Sequence, residues 1–104
     1  MSKRTFAFAG LVAASMIAAS GAQAAGHCAA GKTLKDGVLT IATGNPAYFP
    51  WVIDDNPAGG KGFEAAVGYA VAAEMGFEAS AVDWVAASFD QSIQPGAKNF
   101  DVNL

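Results

Sequence analysis

The run Val38-Leu39-Thr40-Ile41-Ala42-Thr43-Gly44 is short and largely apolar, and it reads as a strand over Val38–Gly44. It leads directly into Asn45-Pro46-Ala47-Tyr48-Phe49-Pro50-Trp51, where two prolines stiffen a loop crowded with three aromatic rings. The next stretch, Val52–Gly62, contains Asp54-Asp55-Asn56-Pro57 and Gly59-Gly60-Lys61-Gly62. Both are turn chemistry and fit either a small hairpin or an irregular loop. From Phe63 to Met75 the period changes. Phe63, Val67, Val71 and Met75 recur at every fourth position, flanked by Ala66, Ala70 and Ala73, which predicts a helix with one apolar stripe against a sheet. Glu64 falls in its first turn, where the helix dipole favours negative charge, and Gly76 supplies a left-handed stop. Phe77–Val85 reads as a second strand. Ser88 is placed to cap a short helix over Phe89–Gln94 that Pro95-Gly96 ends, and Phe100–Leu104 reads as a third strand.

Strand–helix–strand–helix–strand is the signature of an α/β fold with parallel strands and right-handed crossovers. In such sheets ligands sit outside the carboxyl ends of the strands. A rigid aromatic loop at the end of the first strand is therefore a candidate for touching a small molecule. Three parallel strands with one substantial helix cannot cover both sheet faces, which parallel sheets require. The expectation is that this is the incomplete front portion of a longer protein.

The beginning of the chain changes the picture of where it works. Lys3 and Arg4 precede an uncharged apolar run, Phe6 to Ala19, and Ala22 and Ala24 form the small-residue exit of a secretory signal peptide. The run is short of the ~20 apolar residues that a spanning helix needs. Residues 1–24 are thus expected to be removed, residues 25–37 to be a lead-in, and the mature protein to be periplasmic without direct membrane insertion. Loss of Lys3 and Arg4 leaves four lysines against nine acids, a formal balance of −5. Lys32, Lys35, Lys61 and Lys98 are scattered, so nucleic acid and anionic membrane surfaces are poor partners. His27 beside Cys28 has no further ligands at suitable spacing, so no metal site is expected, and the bulky imidazole does not suit lipidation of the thiol.

Taken together, Leu39–Trp51, then Gly62-Phe63-Glu64, Phe89-Asp90 and Phe100-Asp101-Val102 resemble the extracytoplasmic solute-binding proteins of ABC importers. The most similar branch binds amino acids (bacterial family 3). The likeness covers nearly all of Val38–Leu104, and it lies in the order and spacing of the pieces.

The resemblance implies two α/β lobes closing on a solute, with this chain forming the start of the first periplasmic-binding-protein lobe. It implies ligand contacts at Asn45, Tyr48, Trp51 and Phe89. Asn45 stands where the family usually has an acid for the ligand's ammonium, and its neutral amide gives up that charge. Tyr48 would pack a ring over the solute, Trp51 replaces the usual Phe beside the cleft, and Phe89 would add apolar contact. Each also has a plainer reading: the three rings as core or loop packing, Asn45 as the start of a turn. The carboxylate-binding arginine of the family would lie beyond Leu104, since the chain has no arginine except Arg4.

The implied function is capture of a small polar solute, an amino acid or similar molecule, and delivery to an ABC permease in the inner membrane, with no cofactor. Three alternatives stand beside it: a dehydratase of prephenate-like acids on the same fold, the sensor module of a membrane receptor, and a nonfunctional truncated fragment. No nucleophile–base pair is visible in the sequence, which is why an enzyme is not expected.

Overall fold

The computed structural model describes residues 29–104. The expected leader over 1–24, and His27 and Cys28, lie outside the described residues. Three parallel strands form one sheet: β1 (Leu39–Gly44), β2 (Val82–Ala87) and β3 (Val102–Asn103), in the spatial order β2-β1-β3. The helices are α1 (Phe63–Glu74) and α2 (Phe89–Ile93). The chain is thus an alternating α/β unit, with β1 at the centre of its sheet.

The central position of β1 explains its composition. It pairs with β2 from Leu39↔Val82 through Gly44↔Ala87, and with β3 at Ile41↔Val102 and Ala42↔Asn103. Side chains alternate between faces along a strand, so a strand buried on both faces cannot alternate polar with apolar. Leu39, Ile41 and Ala42 are buried, and Thr40 and Thr43 are buried with them. Leu39 and Ile41 join Ala29, Ala72, Phe77 and Val82 in the core. Each large aliphatic side chain buried this way contributes about 1.5–3 kcal/mol.

Helix α1 packs through its small residues, which corrects the stripe expected from the sequence. Ala65, Gly68 and Ala72 are buried, whereas Phe63 and Val71 of that stripe are exposed. The cause is Trp84 on β2. A Cβ placed on Gly68 would lie 2.6 Å from the Trp84 ring and 3.3 Å from Ile41 Cδ1, so only a bare backbone lets this helix approach the sheet. Tyr69 packs edge-on to the same indole at 5.9 Å. At the helix end, Gly76 is left-handed (φ 85°) and its N–H donates to Ala73 O, while Phe77 N–H donates to Ala72 O. This paired closure satisfies two terminal carbonyls and drops Phe77 into the core.

That closure also displaces the second strand. The sequence suggests Phe77–Val85, but Phe77 belongs to the helix stop and Ala79–Ala81 forms a 3-10 turn, so pairing begins at Val82. The third strand is likewise shorter than Phe100–Leu104, because Asp101 is engaged as a clamp. Its carboxylate accepts from Leu34 N and Thr40 N at 2.8 Å each, and its own N–H donates to Thr40 O. One residue thereby ties the lead-in, β1 and the approach to β3. Between β1 and α1 the chain takes the irregular form, with a single 3-10 turn at Pro57–Gly59. Helix α2 stops at Ile93, one residue short of the expected end, and Ser88 caps it reciprocally with Gln91.

Candidate functional site

The carboxyl ends of all three strands open into one hollow of about 350 Å³, bordered by Gly44 of β1, Ala87 of β2 and Asn103 of β3. Parallel alignment makes this convergence unavoidable, because each strand delivers its following loop to the same edge. The backbone N–H of Asn45 donates to Ala87 O at 3.0 Å, which carries the β1–β2 ladder one residue into the loop.

Asn45, Tyr48, Trp51 and Phe89 all line this hollow. They come from the loop after β1 and from the start of α2, segments separated along the chain and brought together by the β1–β2 pairing. Tyr48 is 67% exposed, Trp51 51% and Phe89 73%. None of the three rings is buried among the described residues. Asn45 is exposed as well.

The aromatic loop is held by its backbone and by one buried side chain. Val52 N–H donates to Tyr48 O at 2.9 Å, and the Val52 side chain is buried beneath the turn. The Trp51 carbonyl accepts from Glu64 N at 3.0 Å, satisfying one of the free donors at the start of α1. Gly62 makes that bond possible. Its φ is +95°, and a Cβ there would stand 2.7 Å from Trp51 O. The Trp51 ring meets Phe63 edge-to-face, with centroids 5.4 Å apart and planes at 86°. Phe63, read from the sequence as a core residue, instead buttresses a ring at the site.

Among the lining residues that sequence reasoning did not single out as site residues are Glu64, Ser92, Ile93 and Asn103. Glu64 is half-buried, and its carboxylate accepts from Thr43 Oγ1 at 2.9 Å. A first-turn acid is ordinarily explained by the helix dipole alone, which conceals a second role. Ser92 Oγ donates to Ser88 O at 3.0 Å and lies 3.2 Å from Asn103 Oδ1. Ser92 and Ile93 sit three and four positions after Phe89, and that helical spacing was the available signal. Asn103 carried no such local signal.

No family model, curated protein or solved structure matches this chain. What the hollow can hold follows from its own chemistry. It combines exposed rings with a fixed carboxylate, two side-chain amides and the hydroxyls of Tyr48 and Ser92, the mixture of apolar walls and few polar groups that suits a small solute. Among the described residues no group of three or more His, Cys, Asp or Glu side chains is placed to hold a metal ion. No helix of the described residues is long and apolar enough to cross a membrane.

Proposed function

We propose that this chain forms one wall of the solute cleft of an exported amino-acid-binding protein, the first-lobe portion of a receptor that serves an ABC permease. The observation carrying this reading is the meeting of Asn45, Tyr48, Trp51 and Phe89 around a single hollow at the carboxyl edge of a parallel sheet. Exposed rings on that edge are expensive to leave in water unless something covers them. A solute closed between two lobes does so, and its charges then need partners because water is excluded. The leader-like residues 1–24 and the family resemblance of Leu39–Trp51 support the same conclusion from outside the geometry. Closure would be a hinge motion biased by ligand contacts on both sides.

One wall alone binds weakly, on the order of millimolar, equivalent to about 4 kcal/mol. Amide NMR spectra of the chain, titrated with each proteinogenic amino acid, test the proposal directly. The expected result is saturable movement of the Asn45–Trp51 and Phe89 signals for a subset of these solutes. Spectra that stay unchanged at the hollow for every amino acid would remove this reading.

A further inference from the structure

We infer that Glu64 is the charge-reading group of the hollow, so that the site selects solutes by a cationic amine. The inference rests on the solute-binding reading above and deepens it. Among the described residues lining the hollow, Glu64 has the one charged side chain; the other polar side chains are Asn45, Tyr48, Trp51, Ser92 and Asn103. Asn45, at the end of β1, contributes a neutral amide and no charge.

Three features suit Glu64 to that task. Its position is fixed at two points: Thr43 Oγ1 donates to Oε2 at 2.9 Å, and its backbone N–H is bonded to Trp51 O. A carboxylate can accept several hydrogen bonds, so the single donor from Thr43 leaves capacity for a ligand. The rings of Tyr48, Trp51 and Phe89 line the same hollow, and aromatic faces attract cations. Helix geometry alone would explain an acid in the first turn, but not an inward-held one. Thr43 is a buried β1 residue, and its hydroxyl draws the carboxylate across to the sheet edge rather than leaving it in solvent.

The test uses three probes of nearly equal size: propylamine, propionamide and propionate. Each is titrated into the full chain and followed by the Trp51 indole and the Tyr48 and Glu64 amide signals. Propylamine is expected to bind at least about tenfold more tightly than propionate, the effect of one hydrogen bond to a charged group. Glu64→Gln keeps an acceptor for Thr43 and should abolish that preference, while Glu64→Asp should retain part of it. Equal affinity for the three probes in the unaltered chain overturns the inference without reference to any variant. So does unchanged propylamine binding in E64Q, or silence toward propylamine while amino acids still move the hollow signals. If no amino acid moves them either, the solute-binding reading fails first and this inference falls with it.

Discussion

The backbone N–H of Glu64 donates to the carbonyl oxygen of Trp51 at 3.0 Å, joining the start of helix α1 to the end of the aromatic loop. The bond does two things at once. It satisfies a helix-terminal donor, and it sets a ring and a carboxylate side by side at the mouth of the hollow. Local folding and site construction are here the same interaction.

Gly62 should therefore shape the hollow, although it does not line it. Gly62→Ala forces a side chain into a left-handed conformation and brings Cβ within 2.7 Å of Trp51 O. The expected loss is more than about 1 kcal/mol of stability. Near-ultraviolet circular dichroism should also lose the signal of the Trp51–Phe63 pair. An alanine variant with unchanged aromatic ellipticity would show that the glycine is dispensable.

Gly68 sets up an opposed pair of effects. Alanine raises helix propensity by about 1 kcal/mol. Against this, its Cβ would fall 2.6 Å from the Trp84 ring and 3.3 Å from Ile41. Overpacking of this kind costs typically about 1–3 kcal/mol. Since the Trp84 ring is held by Tyr69 and its Nε1 is buried, little room exists to retreat. The clash wins, and Gly68→Ala should lower the urea midpoint followed by tryptophan fluorescence. A raised midpoint would mean that α1 can slide on the sheet.

Asp101 is expected to act as a local clamp. Asp101→Asn keeps one carbonyl oxygen for a donor but turns an amide N–H toward the other, at a position where Leu34 N and Thr40 N both need acceptors. Loss of a hydrogen bond to a charged group is worth about 1.5–3 kcal/mol. Hydrogen exchange should accelerate at the Leu34 and Thr40 amides, with that of Ala87 less affected. Uniform acceleration across the sheet would indicate general unfolding instead.

Much of this architecture was legible because it is written locally. The strand ending at Gly44, the helix beginning at Phe63, the stop at Gly76 and the cap at Ser88 each depend on residues within one turn of each other. The aromatic loop was legible as a candidate site for the same reason, since two prolines and three rings stand together in seven positions. The start of β2 was not. Phe77 looks like a strand residue, and only its role in closing α1 onto the core assigns it elsewhere.

By itself, the sequence determined the kinds of elements, their order, and the loop on which a solute would be sought, because these follow from short-range spacing and backbone preference. Tertiary structure alone decided which face of α1 meets the sheet, since the bulk of Trp84 favours Gly68 over the larger Phe63 and Val71. It also decided the sheet order that sets Phe89 and Asn103 beside Tyr48, and the Thr43 bond that brings Glu64 to the hollow. Those relationships join residues distant along the chain, and no local pattern encodes a distance that only packing creates.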